Sequence, residues 1–477
     1  MLPEEEGTIP PVHSLQEYLR RFRGFSREAK LFLLSVTLGS VGMSVGWLML
    51  NFYLQSLGLS QSLIGAINAA GSLTAAVLGI PVGILSDRVS RKAVLLGGTL
   101  LAALGSLGVA LSSTPALLLG FTVLSGIGLT AIFTNISPFL AEHSTAAQRT
   151  ALFSLQAALS TATGFLGSLL GGYFPALVAS SLGMTPHDVL PLRVTLGVVA
   201  LLQFLALFPL LLLREASPLS EPEEGWGRSA DGSRVASAAS VRAAEVPPGG
   251  EAPPAPPASR AFGGLRLQNP SLFGKLLVPT VFIGLGAGLT MPFLNLFVRG
   301  KFGISFEELG WLYALSSLMT AVGMLLQPLL ADRVGKVRSV VIVQALSLPF
   351  LLVMGYAPYF PLVAVALLVR GMLMNMANPV YMAFCMERLP RRERATFSGT
   401  TEVVWSLTWA VSSGVSGWLR DLLGFERGFS VEFALMALFY TISTVTLYAF
   451  FGRRSEKAPG GGLSGKVEPE EREELVR

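Results

Sequence analysis

The sequence predicts an all-α membrane protein of twelve transmembrane helices, arranged as two six-helix, pseudo-symmetric bundles. Three observations carry this expectation. Twelve apolar stretches each reach the roughly 17–25 residues that cross a bilayer. A polar, Pro-rich segment divides them six and six, and charged and glycine landmarks recur at one fixed offset between the two sets.

The spans are expected near 31–55, 62–85, 93–112, 115–139, 150–178 and 190–213, then near 272–298, 307–331, 338–356, 359–386, 395–419 and 429–451. Only 14% of the 477 residues are charged and 51% are hydrophobic, with a mean hydropathy of +0.59. A soluble domain carries about 25% charge, so this chain buries its apolar surface in lipid. Many of the 51 glycines fall inside the apolar runs, where small residues let membrane helices approach. The single cysteine, Cys385, excludes an intrachain disulfide and a multi-cysteine metal cluster. His13, His143 and His187 are far apart in predicted loops, so neither a metal site nor another cofactor is expected. The basic residues Arg20 to Lys30 run into an apolar stretch without a cleavage signal, which reads as an uncleaved first helix.

These spans divide the chain into a tail (1–30), a six-helix bundle (31–213), a flexible linker (214–270), a second bundle (271–453) and a tail (454–477). The linker contains PPGGEAPPAPP at 247–257, a composition that buries too little surface to fold. Loops 2–3, 4–5, 8–9 and 10–11 carry eleven Lys and Arg residues, from Arg88, Arg91 and Lys92 to Arg394. The opposite loops carry five: Arg193, Arg299, Lys301, Arg420 and Arg427. The positive-inside rule then puts the first group, the linker and both termini in the cytoplasm, with the bundles in the cytoplasmic membrane. The basic clusters orient helices, and no nucleic-acid partner is expected.

Asp87 and Asp332, Glu142 and Glu387, and Arg149 and Arg394 are each 245 positions apart (332 − 87 and so on). The same offset pairs Phe52 with Phe297, Gly58 with Gly303, Ser60 with Ser305, Gly65 with Gly310, Arg88 with Arg333 and Val89 with Val334. Charged loop matches weigh most, because apolar spans share a small alphabet. A period of half the chain is a duplication.

The loop Gly83-Ile84-Leu85-Ser86-Asp87-Arg88-Val89-Ser90-Arg91-Lys92 resembles the signature loop of the major facilitator superfamily, with Ser90 in place of its second glycine. A second copy, Pro328 to Lys336, keeps that glycine as Gly335 but has Pro328 where Gly83 stood. The resemblance spans both bundles. It implies a secondary transporter that moves a small molecule by alternating access, in which this loop latches the halves together on the cytoplasmic side. Gly83, Asp87, Arg88 and Arg91, with Asp332 and Arg333, are then candidate gate residues. Glu142, Arg149, Glu387 and Arg394 are placed to pair with these loops. A carboxylate such as Asp87 can cap a facing helix N-terminus, worth about 0.3–1 kcal/mol. The run Thr163 to Gly172 is similar to the antiporter motif of drug-exporting members, with Ser168 where that motif has proline. Tight helix packing explains the same small residues.

Polar residues inside spans should face an interior or a wet cavity. Ser40, Ser44, Trp47, Asn51 and Gln55 share one face of the first helix; Gln156, Ser160 and Thr163 share one on the fifth; Tyr313, Ser316, Thr320 and Gln327 share one on the eighth. Tyr440, Thr444 and Tyr448 give the twelfth helix a stripe that the superfamily arrangement, with a peripheral twelfth helix, does not call for. Arg370 is about 16 Å from the outer end of helix ten, near midplane, with Asn378, Tyr381 and Cys385 roughly on its face. Glu402 heads a stripe with Trp405, Ser406 and Trp409. The candidate pathway is Trp47, Asn51, Gln156, Asn295, Arg370, Asn378, Glu402 and Trp405. Interhelical hydrogen bonding without a substrate remains the alternative for each stripe. The expected activity is transport of a small molecule by a monomer, driven by protons or another ion, with export of amphipathic compounds ahead of uptake of an organic solute. A transporter-like sensor is the reading from another class. No nucleophile motif, paired catalytic carboxylates or metal spacing points to an enzyme.

Overall fold

The computed structural model describes residues 24–214 and 269–452. The tails at 1–23 and 453–477 and nearly all of the linker call at 214–270 lie outside the described residues, as do the side chains of Asp87, Arg391 and Arg392. The described chain is helical: α1 (Arg27–Ser56), α2 (Gln61–Arg88), α3 (Arg91–Leu111), α4 (Pro115–Glu142), α5 (Ala146–Leu182) and α6 (Val189–Leu211) form the first half. In the second half, α7 (Pro270–Phe302) is interrupted by a 3-10 turn, Met291–Phe293. It is followed by α8 (Phe306–Val334), α9 (Lys336–Tyr356), α10 (Phe360–Arg388), α11 (Arg391–Leu423) and α12 (Phe425–Gly452). All twelve expected spans are present as helices, several longer by a turn; the first begins at Arg27, inside the expected tail.

Eleven of the twelve are long and apolar enough to cross a membrane. The other, α11, has the length but not the apolarity, because Glu402, Arg420, Asp421 and a run of Ser, Thr and Gly interrupt it. Its polar face is spent on α2, α7 and α12, described below. Arg420, expected in a loop, is instead buried in α11.

The repeat in sequence is a repeat in backbone chemistry. Gly58 and Gly303 end α1 and α7 with left-handed φ of +74° and +64°, a conformation that costs a glycine nothing. Two residues on, Ser60 and Ser305 cap α2 and α8 by accepting from the amides of Leu63 and Glu308. Where the signature loop has Ser90, the backbone is extended (φ −172°) and the hydroxyl caps α3. Its counterpart Gly335 turns at φ +86° without a side-chain cap. The two loops therefore reach the same helix start by different local means.

We call the end bearing Arg88, Arg149, Arg333 and Arg388 the basic end, and the other the sealed end. The apolar core divides accordingly. Toward the sealed end one cluster runs through both halves, with Phe52, Ile64 and Leu196 in contact through neighbours with Phe293, Phe306 and Phe429. Toward the basic end there are two separate clusters, one around Phe32, Leu95 and Phe139 and the other around Phe273, Phe384 and Phe397.

The halves join through α2 against α11 and α5 against α8. A Cβ built on Gly65 would stand 2.6 Å from the Ser413 carbonyl oxygen and 3.1 Å from Gly417 Cα. A Cβ on Gly310 would stand 2.8 Å from the Ser168 carbonyl and 2.9 Å from Gly172 Cα. The partners obey the repeat as well: Ser168 and Ser413, and Gly172 and Gly417, are 245 apart. A Cβ on Gly417 meets the Gln61 carbonyl at 2.3 Å, and one on Gly172 meets the Phe306 carbonyl at 2.7 Å, again one offset apart. The obstacles are backbone atoms, which cannot swing aside as side chains do.

Gly417→Val should therefore force α2 off α11. Overpacking costs about 1–3 kcal/mol, or roughly five- to 150-fold in local opening. Hydrogen exchange at the Gln61 and Ser62 amides should accelerate by that factor. Gly197→Val, where nothing lies within 4 Å of the added Cβ, serves as the control and should leave these amides unchanged.

Candidate substrate cavity and its two ends

Between the halves lies a cavity of about 400 Å³, lined by α1 (Met43, Ser44, Trp47, Leu48), α5 (Ser160, Thr161, Gly164, Ser168), α8 (Tyr313, Ser316, Ser317, Thr320) and Asn375 of α10. The glycines of α5 let it form here. Gly167 sits against Ser44 and the Val41 carbonyl of α1, and Gly164 faces the Ser317 hydroxyl of α8. The run at 163–172 thus packs α5 on α1 and α8 at once. The lining is rich in hydroxyls with one side-chain amide, Asn375, and its ionisable group among the described residues is the Tyr313 phenol.

The expected polar stripes divide by depth. Ser44 and Trp47 line the cavity, as do Ser160 on α5 and Tyr313, Ser316 and Thr320 on α8. Gln156 is half-buried and donates to Ser160 Oγ at 3.0 Å, one turn toward the basic end. Thr163 is buried and donates to the Ser160 carbonyl, and Gln327 is buried against Ser339 of α9. Ser40 faces a crevice inside the first half, and Gln55 a second inter-half space beyond the seal.

Asn51 and Asn295 form the plug above the cavity. Both are buried, and the Asn51 amide donates to the Pro292 carbonyl and, at 3.3 Å, to Asn295 Oδ1. Asn295 donates to the Leu48 carbonyl at 2.7 Å, and Asn68 donates to Asn51 Oδ1 at 2.9 Å. The Pro292 carbonyl that receives Asn51 belongs to the 3-10 turn that interrupts α7. Nearby, Trp47 faces Trp409 across the halves at 6.2 Å, and Trp405 packs on Trp409 at 5.5 Å. Glu402 is exposed on α11, one turn toward the basic end from Trp405.

Arg370 lies behind the cavity. It is 6% exposed, donates to Met291 Sδ at 2.9 Å and to Tyr440 Oη at 2.8 Å, and stacks on the Tyr440 ring. Two residues of the α12 stripe are thereby placed: Tyr440 holds Arg370, and Thr444 reaches Gln344 of α9 at 3.4 Å, while Tyr448 is exposed. Of the residues grouped with Arg370, Tyr381 turns to the Leu276 carbonyl, Cys385 is buried and Asn378 is exposed. Asn375, one turn away, is the α10 residue that enters the cavity. Sequence reading missed it because a lone asparagine makes no stripe.

At the basic end, two ion pairs among the described residues lie within halves. Arg91 pairs with Glu142 at 2.7 Å, and Lys336 pairs with Glu387. Arg91 and Lys336 are 245 apart, as are the two glutamates, so one pair is a copy of the other. Arg149 and Arg394, also expected to pair with these loops, instead donate to carbonyls outside them, Ala141 and Leu389. Arg88, Asp332 and Arg333 are exposed, and Gly83 of α2 packs on Thr134 of α4. Exposed pairs contribute about 0–1 kcal/mol, so these can exchange partners readily.

At the sealed end the ties cross between halves. Asp421 of α11 accepts from the amides of Gln61 (3.0 Å) and Ser62 (2.8 Å) at the start of α2, and from the Ser62 hydroxyl. A carboxylate so placed satisfies helix-end donors and the helix dipole together. Trp311 Nε1 donates to Tyr173 Oη at 2.9 Å. His187, in the α5–α6 loop, accepts from Arg299 of α7 at 2.6 Å, and Arg299 stacks on Phe306 at 4.0 Å. Partial burial lowers the His187 pKa below its ordinary 6.5, the Arg299 charge lowers it further, and Asp188 opposes both. A folded-state pKa below the unfolded value means that this contact is at full strength above about pH 6.5 and is lost as pH falls through the folded value.

Comparison with known proteins follows this geometry. A sequence model described as the Major Facilitator Superfamily matches residues 32–279 and again 276–473. Among curated proteins, the Inner membrane transport protein YajR of Escherichia coli (strain K12) is 46% identical over 57 residues, which are 12% of this chain and 13% of that protein. The chain thus aligns with a small part of that relative's length. Among solved structures, an inward-facing, unoccupied bacterial homologue of the human lysosomal transporter Spinster superposes with a TM-score of 0.67 at 14% identity, covering 91% of this chain and 99% of that one. A D-xylose-proton symporter gives 0.66 at 14% identity (91% and 98%), and the nucleoside transporter NupG gives 0.63 at 15% (90% and 98%). At these identities the structures share the fold.

A histidine-labelled NMR titration, with His187→Gln to assign the signal, should place the His187 midpoint below 6.5. Arg299→Gln should raise it, since the second-largest cause is removed. An unchanged midpoint would mean that the two groups do not meet.

Proposed function

The chain belongs to the Major Facilitator Superfamily, and from that premise we propose that it moves a small molecule across the cytoplasmic membrane by alternating access at the cavity between its halves. One observation carries the reading: a polar chamber at mid-depth, closed toward one end by ties between halves and flanked at the other by ion pairs within halves. A protein that only needed a stable bundle would gain nothing from two sets of end contacts of opposite kind. With the basic end in the cytoplasm, as the positive-inside rule favours, this conformation opens inward.

Opening the sealed end requires breaking the Asp421 cap, the Asn51–Asn295 plug and the Arg299–His187 contact together. Closing the basic end would bring the signature loops across the gap, where Arg88, Arg91, Glu142 and their copies can exchange partners between halves. Coupling to protons supplies the driving force in this reading, and the small-residue run at 163–172 and the tryptophan wall of Trp47, Trp405 and Trp409 favour export of amphipathic compounds. Arg370 contributes by holding the interrupted part of α7 to α12 through Met291 and Tyr440.

Flux measured in sealed proteoliposomes against a panel of amphipathic compounds and small solutes tests the proposal. At least one compound should move when a proton gradient is imposed, in the direction opposite to the proton flow. Ser316→Trp, which fills the chamber from α8, should cut that flux at least tenfold while the protein remains folded and monodisperse. Binding without flux for every ligand found would contradict transport and favour a sensor.

A further inference from the structure

Beyond the cavity, the second half contains an ionisable pair that the transport pathway does not use. Arg420 of α11 and Glu432 of α12 have fully buried side chains, with Arg420 Nε 3.5 Å from Glu432 Oε1. The Ser416 hydroxyl donates to that same oxygen at 2.8 Å. Among the described residues no donor reaches Glu432 Oε2, and the guanidinium is held chiefly by rings, lying 3.9 Å from Phe293 and 4.8 Å from Phe429. Charges this deep are retained at a cost of several kcal/mol in desolvation, and inside a membrane bundle such a pair marks a function more often than a brace.

Its position gives it something to act on. The residue after Arg420 is Asp421, the carboxylate that caps α2 across the halves, and Phe293 beneath the guanidinium ends the 3-10 turn whose Pro292 carbonyl receives Asn51. The repeat has no counterpart for this group: the positions 245 earlier than Arg420, Asp421 and Glu432 are Pro175, Ala176 and His187.

We propose that Glu432 is a proton-binding site that controls the seal, with Arg420 transmitting its charge state to the Asp421 latch. The inference rests on alternating access but concerns the switch rather than the cargo. With Glu432 ionised, the pair is neutral and Asp421 is left to cap α2. When Oε2 takes one proton from water at the sealed end, the pair carries a net positive charge in a buried site. The nearest carboxylate able to balance that charge is Asp421. As Arg420 draws on Asp421, the Gln61 and Ser62 amides lose their acceptor and the sealed end opens. Deprotonation reverses the sequence.

Near the sealed end, the charged groups on the elements packed around Glu432 are Arg420 and Asp421 on α11, Arg299 and Lys301 at the end of α7, and Glu426 and Arg427 on α12 itself; α9 brings the Tyr356 phenol, which donates to the Ser430 carbonyl. Lys301 donates to the Gly355 carbonyl, and Arg299 to the Ile304 carbonyl and His187. His187 is a further titratable group at this end, so it is replaced in the test.

The experiment measures the distance between spin labels at Met184→Cys and Tyr359→Cys, exposed sites on sealed-end loops of opposite halves, in the Cys385→Ala, His187→Gln protein in liposomes. Acidification should lengthen the distance. Glu432→Gln should hold it long at pH 7.5 and abolish the response, and Asp421→Asn should do likewise. If Glu432→Gln does not fold, Ser416→Ala, which removes the hydrogen bond favouring the carboxylate, should move the midpoint to higher pH. A short distance in Glu432→Gln that still lengthens with acid, or an unmoved midpoint in Ser416→Ala, overturns the proposal. Flux is not read here, so a failed switch and a failed transport reading give separate results.

Discussion

The structure depends on backbone meeting backbone at four glycines. Gly65 against Gly417 and Gly310 against Gly172 let α2 and α8 lie on α11 and α5 with no side chain between them. Every other tie at the sealed end needs that approach. Asp421 reaches the α2 amides because α2 begins a turn away from Gly65, and Trp311 reaches Tyr173 because each stands one residue from a glycine of the second pair. Two such contacts related by the repeat form a pair of fulcrums on opposite sides of the cavity. A two-fold arrangement of fulcrums allows rocking while resisting lateral slip.

The two halves share an architecture but differ in electrostatics. The buried ionisable pair and the buried Arg370 belong to the second half, while the cavity-facing stripe of α1 in the first is uncharged. Duplication supplied matched caps, turns and ion pairs, and those features repeat because each half needs them to fold and to meet its twin. Arg420, Asp421 and Glu432 do not repeat, which is consistent with the switch proposed for them.

Much of this was legible in the sequence for identifiable reasons. Helix existence follows from apolar length, and all twelve are where the apolar runs put them. The offset of 245 correctly paired Gly58 with Gly303, Ser60 with Ser305 and Gly65 with Gly310; carried further, it also relates Gly172 to Gly417 and Arg91 to Lys336, and so anticipates both fulcrums and the duplicated ion pair. Partner choice was legible only in part: Glu142, placed by the sequence to pair with the signature loop, meets Arg91 of that loop, whereas Arg149, placed there too, donates to the Ala141 carbonyl. Depth was only partly so. Asn51 and Ser44 share a helix face, but the interrupted α7 turns one into a plug and leaves the other on the cavity wall. Arg420 was counted with the loops because it stands near a helix end, and only the packing of Phe293 and Phe429 around it shows that it is buried.

The central claim is that the halves alternate as rigid bodies about the glycine contacts. Distances measured in the same liposome preparation, at the basic end between labels on Val89→Cys and Val334→Cys and at the sealed end between labels on Met184→Cys and Tyr359→Cys, test it directly. Rigid rocking predicts two populations in which a long basic-end distance accompanies a short sealed-end one, and conditions that shift one distance shift the other in the opposite sense. Distances that lengthen together, or one that changes while the other stays fixed, would contradict the account.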